Sequence, residues 1–201
     1  LGLQTQDYFR LRKEVAIDPA LIPVRAGSTT DRYVLLVRRD SEWTSIAQLQ
    51  GRQLMTYTGT QMGLSMPWLE GELQGAKLPD ARAFFAGVRF HVKVSQALLP
   101  VFFGKAEVCL VAGSEYETMV ELNPQLGLQL RMLVTSPELV PFVTCLRSDF
   151  VGPDREGAES GYLDAHLHAL GQQALLLFDP PCLMHPAFGE NTAGGDRDPL
   201  A

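Results

Sequence analysis

The most informative segment of the chain is Tyr33-Val34-Leu35-Leu36-Val37, an unbroken run of β-favouring apolar residues between Arg32 and Arg38. An unbroken apolar run predicts a strand that is covered on both faces, whereas alternation predicts a strand with one solvated face. Further strands are predicted at 53–57, 82–85, 107–111, 130–134 and 142–146, and helical patterns lie between most of them. This alternation between about residues 32 and 135 predicts a mostly parallel sheet with helices on both faces.

Composition restricts the class of protein. The chain has 201 residues, of which 46% are hydrophobic and 20% are charged. These values indicate a folded globular protein with room for one large domain or two small lobes. The net charge of −6 argues against a nucleic-acid partner. The basic clusters at Arg10–Lys13 and Arg38–Arg39 are also too small to follow a phosphate backbone.

Outside this core pattern, the sequence predicts a helix over 7–13, an irregular connection around Pro19 and Pro23, and one long helix over 160–177. The chain starts at Leu1 without features of a signal peptide, and we expect it to be a piece of a longer protein. Three cysteines without tight spacing, Cys109, Cys145 and Cys182, are expected to be buried free thiols.

The segment Thr58-Gly59-Thr60-Gln61 has the layout of an anion receptor, namely a strand, a glycine-containing turn and a helix start with a threonine as N-cap. A helix N-terminus offers unpaired N–H groups and a partial positive charge to an anion. The alternative is a capped helix after a strand, which any α/β protein contains.

A family resemblance begins at Tyr33–Ser41 and continues through Ile46–Arg52. These two segments together resemble a pattern found in periplasmic substrate-binding proteins of the phosphonate, phosphate and phosphite class. The pattern consists of a valine-rich strand, an Asp-Ser pair and a Leu-x-Gly-Arg turn. These proteins are the soluble receptors of ABC importers. Further similar segments follow in the same order, at Gly104–Glu107, Asn123–Leu126, Leu133–Pro137 and Val140–Phe142, and the resemblance covers about residues 1–180.

The resemblance implies a two-lobed, type 2 periplasmic-binding-protein-like α/β fold, with mostly parallel sheets and flanking helices. Residues 32–38 and 142–147 would be the two crossover strands between lobes. The second lobe would comprise residues 39–141, and the first lobe residues 1–31 and 148–201. Members of the family carry additional N-terminal strands, so the first lobe is expected to be incomplete in this chain.

The resemblance also implies ligand-binding positions. Thr60-Gln61-Met62-Gly63 corresponds to a hydroxyl-rich loop that binds phosphonate oxygens, and only Thr60 keeps a hydroxyl there. Tyr8 corresponds to a tyrosine that faces the cleft, with a core aromatic as the equal alternative. The family's histidine and aspartate are missing near Lys93 and Ala112, where Ser95 and Ser114 are candidate replacement donors.

The expected function is a monomeric, periplasmic or extracytoplasmic receptor that captures a small anionic or polar ligand in the interlobe cleft for the membrane subunits of an ABC importer. A sensory module of the same fold, attached to a signalling protein, is the alternative. An enzyme is disfavoured, because the chain shows no nucleophile with a base and no acid–base pair. No cofactor or metal is expected, since His166 and His168 do not share a helix face and Cys182-x-x-His185 lacks a second ligand pair.

Overall fold

A computed structural model describes residues 1–25, 27–178 and 182–184. It divides the chain into two units, one formed by Leu1–Thr30 with the residues from Val140 onward, and the other by Asp31–Leu139. The strands are β1 (Gly2–Gln4), β2 (Ile17–Val24), β3 (Tyr33–Arg38), β4 (Gln53–Tyr57), β5 (Gly87–His91), β6 (Val108–Ala112), β7 (Leu130–Thr135), β8 (Phe142–Arg147) and β9 (Cys182–Met184). The α-helices are α1 (Thr5–Leu11), α2 (Ser65–Gly75), α3 (Ala81–Phe84), α4 (Val94–Phe102), α5 (Gly113–Leu122), α6 (Gln125–Gln129), α7 (Pro153–Asp164) and α8 (Ala169–Phe178).

The 31–139 unit contains a mixed five-stranded sheet in the order β5-β4-β6-β3-β7. Strand β4 runs parallel to β5 and β6, whereas β3 runs antiparallel to β6 and β7. The predicted burial of β3 on both faces is confirmed, because each residue from Tyr33 to Val37 is 0% exposed. The apolar run is therefore explained by an interior strand with packed layers on both sides.

Helices α2 and α4 contribute buried residues to the core of this unit. Leu69 and Leu73 of α2, and Ala97, Leu98 and Val101 of α4, are fully buried at helical spacing. Gly104 follows the end of α4 in a left-handed conformation with φ of +68°, which a residue with a side chain rarely adopts.

Some predicted elements of the 31–139 unit are wrong. The expected strand at 82–85 belongs mostly to helix α3, because the Asp80 carboxylate accepts a hydrogen bond from the Ala83 amide (3.0 Å) and caps the helix. The strand at this place is β5, at Gly87–His91, and it was not predicted. Between β3 and β4, where a helical pattern was expected, the chain forms only a 3₁₀ turn at Ile46–Leu49.

The unit formed by 1–30 and the residues from 140 onward has an antiparallel sheet in the order β1-β8-β2-β9. The irregular connection expected around Pro19 and Pro23 is wrong, because both prolines lie within β2. The register of β2 against β8 shifts between Pro19 and Leu21, so a bulge accommodates the proline that donates no hydrogen bond.

The long helix expected at 160–177 is also wrong. Helix α7 ends at Asp164, a 3₁₀ turn follows, and His168 is extended with φ of −119° and ψ of 141°. The His166 ring nitrogen Nδ1 is 2.7 Å from the Leu163 carbonyl, and the Gln172 side chain donates to the His166 carbonyl (2.8 Å). These side-chain bonds compete with the helical hydrogen bonds and satisfy the carbonyls at the break.

The chain passes between the two units at Thr30–Asp31 and at Leu139–Val140. Residues 32–38 and 142–147 each form an interior strand of one unit. At the passage points, Asp31 and Leu139 exchange two backbone hydrogen bonds (2.9 and 2.8 Å).

No helix within the described residues is long and apolar enough to cross a membrane.

Candidate functional site

The candidate site lies at one edge of the five-stranded sheet. Strands β4, β5 and β6 are parallel, so their carboxyl ends share this edge. Each of these strands is followed by the start of a helical segment. The 3₁₀ turn Thr60–Met62 follows β4, α4 follows β5, and α5 follows β6 directly. The predicted ligand residues Thr58, Thr60, Ser95 and Ser114 therefore all lie at the same edge.

The turn after β4 is attached to the end of β5. The Thr58 amide donates a hydrogen bond to the His91 carbonyl (2.8 Å), and the Thr58 hydroxyl approaches the same oxygen (3.3 Å). The predicted threonine N-cap is wrong. Gly59 occupies the cap position of the 3₁₀ turn without a side-chain cap, and α2 begins only at Ser65.

Tyr33 supports the Thr60–Gln61 turn from inside the core. Its hydroxyl donates to the Gln61 carbonyl (2.8 Å) and accepts a hydrogen bond from the Leu64 amide (3.2 Å). Its ring stacks on Trp68 with ring centroids 6.2 Å apart. Burial raises the pKa of Tyr33 to about 12, so the hydroxyl stays protonated and can donate. The apolar pattern around Tyr33 gave no sign of this contact with the loop.

Four amides at the edge are unpaired. Within the described part of the chain, the backbone N–H groups of Thr60, Gln61, Val94 and Ser95 donate to no protein acceptor. Such unpaired donors at helix starts are the groups that receive an oxyanion in proteins. The exposed Lys93, which the sequence interpretation did not select, precedes α4 at this edge and adds a positive charge.

The start of α5 differs, because it already holds a carboxylate. The Ser114 amide donates to Asp31 Oδ1 (3.1 Å), and the Ser114 hydroxyl donates to Asp31 Oδ2. The Arg32 amide also donates to Asp31 Oδ1 (2.8 Å). The hydroxyl of Ser114, predicted as a ligand donor, is therefore engaged within the protein.

Two buried polar atoms near this edge have no hydrogen-bond partner among the described residues, the Tyr57 hydroxyl and the His91 Nε2. The Tyr57 hydroxyl approaches the backbone of Ala112 without hydrogen-bond geometry. Burial, followed by the negative charge of Glu115, raises the pKa of Tyr57 above its ordinary value, so the phenol is neutral. Its ring lies beneath Gly59, where an added Cβ would be 3.2 Å from the ring.

Tyr8 lies in the other unit and is 5% exposed, packed with Ile17, Val143 and Cys145. The Arg12 guanidinium lies 5.5 Å from the centre of its ring. These contacts are those of a core aromatic, and a role of Tyr8 in ligand binding stays a prediction.

The remaining candidates are the cysteines and histidines of the chain. The described residues contain no group of three His, Cys, Asp or Glu side chains that could hold a metal ion. Cys109 and Cys145 are buried free thiols as predicted, and burial raises the pKa of both, to about 11 for Cys145. His185, the partner of Cys182 in the weighed zinc pair, lies outside the described residues.

Comparisons with known proteins identify the family and the fold of the chain. The profile of a family described as ABC transporter, phosphonate, periplasmic substrate-binding protein matches residues 1–176. XAC2383 from Xanthomonas citri bound to ATP has a TM-score of 0.69 at 17% identity, covering 92% of this chain and 72% of that protein. PhnD1 from Prochlorococcus marinus (MIT 9301), in complex with methylphosphonate, has a TM-score of 0.62 at 15% identity, covering 92% and 71%.

A binding protein component of an ABC phosphonate transporter from Pseudomonas aeruginosa has a TM-score of 0.60 at 12% identity, covering 91% of this chain and 62% of that protein. A search of curated sequences found no match. The structural likenesses confirm the two-lobed, type 2 periplasmic-binding-protein fold class, and the family is one of transport receptors, not of enzymes. With the family profile matching most of its length, the chain belongs to the periplasmic substrate-binding proteins of phosphonate ABC transporters.

Proposed function

We propose that this receptor binds a small ligand with a phosphonate- or phosphate-like oxyanion at the carboxyl edge of β4, β5 and β6. The observation that carries the proposal is the set of unpaired amides at Thr60, Gln61, Val94 and Ser95, which lie at the chain segments that follow two neighbouring parallel strands. Thr58, Gly59, Thr60, Gln61 and Ser95 are the proposed contact residues.

The chemistry of this edge suits an oxyanion. Backbone amides and the Thr60 hydroxyl donate hydrogen bonds without carrying a full charge, and hydrogen bonds to an ionised acceptor are stronger than neutral ones. Lys93 adds one cation at the exposed side of the edge. The fixed strands hold the donors in place before the ligand arrives, which reduces the entropic cost of binding.

Two structural neighbours support the ligand class. PhnD1 holds methylphosphonate and XAC2383 holds ATP, and both ligands present tetrahedral phosphorus oxyanions. The ligand of this chain is accordingly sought among phosphonates, phosphate and phosphate esters.

We propose that the two units are the lobes of the receptor and that the passages at Thr30–Asp31 and Leu139–Val140 are its hinge. Ligand binding shifts the population toward a closed form that the membrane subunits of the importer recognise. The receptor acts in the periplasm, as members of its family do, and as a monomer.

Isothermal titration with methylphosphonate, phosphate and ATP tests the ligand class, with sulfate as a phosphorus-free oxyanion. The substitution Thr60→Ala removes one donor and is expected to weaken binding about tenfold, because a charge-assisted hydrogen bond is lost. Thr44→Ala is the matched control, since Thr44 is an exposed threonine before the 3₁₀ turn that follows β3, away from this edge.

A ligand present at a hundred times its Kd also stabilises the folded state by about 2.7 kcal/mol, which a thermal-shift assay detects. Failure of every phosphorus oxyanion to bind the folded receptor rejects the proposed ligand class. Equal weakening by Thr60→Ala and Thr44→Ala rejects the proposed location.

A further inference from the structure

The first turn of α5 already contains an anion, the carboxylate of Asp31. Both carboxylate oxygens are used, Oδ1 by the amides of Ser114 (3.1 Å) and Arg32 (2.8 Å), and Oδ2 by the Ser114 hydroxyl. A carboxylate at a helix N-terminus is stabilised by the same amides and partial charge that would otherwise attract a ligand oxyanion.

The fold holds this carboxylate at the site edge. Asp31 lies two residues before the first residue of β3. Because β3 is antiparallel to β6, the start of β3 lies beside the carboxyl end of β6. The backbone of Asp31 is also fixed by its two hydrogen bonds with Leu139 (2.9 and 2.8 Å). The side chain therefore reaches α5 from a backbone that is itself anchored.

Asp31 forms no ion pair with its neighbour Arg32 among the described residues. The Arg32 guanidinium instead forms ion pairs with Glu117 and with Glu138 (3.5 Å). Glu115 adds another carboxylate in the first turn of α5. This corner of the edge is consequently negative, whereas the ends of β4 and β5 present unpaired amides and Lys93.

We infer that Asp31 is a specificity-determining residue, which occupies the anion position of α5 and thereby restricts an oxyanion ligand to the ends of β4 and β5. Ligands with additional negative charge toward the end of β6 are rejected by Coulomb repulsion. This inference rests on the proposed function, since it specifies which part of the proposed edge accepts the anion.

The substitution Asp31→Asn tests the inference, because asparagine keeps the size and one acceptor oxygen but removes the charge. Asp80→Asn is the matched control. Asp80 likewise caps a helix through its carboxylate, at α3, which precedes β5 and so lies at the opposite edge of the sheet. Titration calorimetry at low salt compares the Kd of methylphosphonate and of phosphate for the wild type and both variants.

Asp31→Asn is expected to tighten binding of both anions about fivefold, because a repulsive unit charge beside the binding edge is removed in a partly aqueous medium. The gain should shrink as salt screens the charge. Asp80→Asn should leave both Kd values unchanged. An unchanged or weaker affinity of folded Asp31→Asn overturns the inference, as does an equal gain in Asp80→Asn.

The outcome also separates this inference from the proposed function. Absence of binding to the wild type rejects the proposed function. In that case Asp31→Asn decides the inference by itself, because binding acquired by the variant supports the inference and continued absence of binding overturns it. Should Asp31→Asn fail to fold, Asp31→Ser provides an uncharged acceptor at the same position and is judged by the same outcomes.

Discussion

The substitution Tyr33→Phe tests whether the central strand supports the ligand loop. Tyr33 is 0% exposed, and its hydroxyl bridges the Gln61 carbonyl (2.8 Å) and the Leu64 amide (3.2 Å). Phenylalanine keeps the ring and its stacking on Trp68 but leaves both backbone groups without their partner.

The magnitude follows from these two lost hydrogen bonds. A buried polar group that loses its partner costs about 1–3 kcal/mol. Gln61 and Leu64 are half-buried, so water reaches part of the vacated positions and reduces the penalty. We expect Tyr33→Phe to lower the free energy of unfolding by about 1–3 kcal/mol in total.

Urea unfolding followed by circular dichroism measures this difference, and Tyr57→Phe is the control. The Tyr57 hydroxyl is buried without a partner among the described residues, so its removal should be neutral or slightly stabilising. Hydrogen exchange should show faster exchange of the Leu64 amide in Tyr33→Phe alone. Equal destabilisation by both substitutions, or an unaffected Leu64 amide, refutes the reasoning.

Three further predictions concern the pH dependence of stability, close packing and the thiols. Burial raises the pKa of Tyr33 from 10.0 to about 12, so the contribution of the neutral phenol to stability is complete below pH 10 and is lost as the pH rises through 12. Between pH 10 and 12, the urea midpoint of the wild type should therefore fall more steeply than that of Tyr33→Phe. A Cβ on Gly113 would lie 2.8 Å from the Arg32 Cγ, so Gly113→Ala should destabilise the protein by about 1–3 kcal/mol. Thermal unfolding measures this loss, and an unchanged melting temperature contradicts the close packing of Gly113. Peptide mapping after iodoacetamide treatment at pH 8 should find Cys109 and Cys145 unmodified in the native protein and modified in urea, and native labelling of either contradicts their burial.

The sequence predicted those strands whose burial leaves a continuous apolar pattern. The run at 33–37 was correct because an interior strand needs apolar residues on both faces. The segment 82–85 was wrong because Phe84 and Phe85 favour strands, whereas the Asp80 cap starts a helix just before them. Strand β2 was missed because it contains two prolines, which favour an irregular connection, and no local pattern announces the register shift beside Pro19.

Only those parts of the candidate site that depend on residues adjacent in sequence were predictable. The Thr58–Gln61 turn was recognised from a strand, a glycine and a helix start, but its threonine cap was not formed. The contact between Asp31 and Ser114 joins residues 83 positions apart, and only the antiparallel pairing of β3 with β6 brings them together. The pairing of β6 with both β3 and β4 likewise brings the Tyr33 hydroxyl to Gln61, 28 residues further along the chain.

An amide-resolved NMR titration with methylphosphonate tests the location of the proposed binding site most directly. We expect saturable shifts of the amides of Thr60, Gln61, Val94 and Ser95, with much smaller shifts at the Asp80-capped start of α3. Saturable shifts that map away from the carboxyl ends of β4 and β5, or no shifts in the folded protein, would contradict this location.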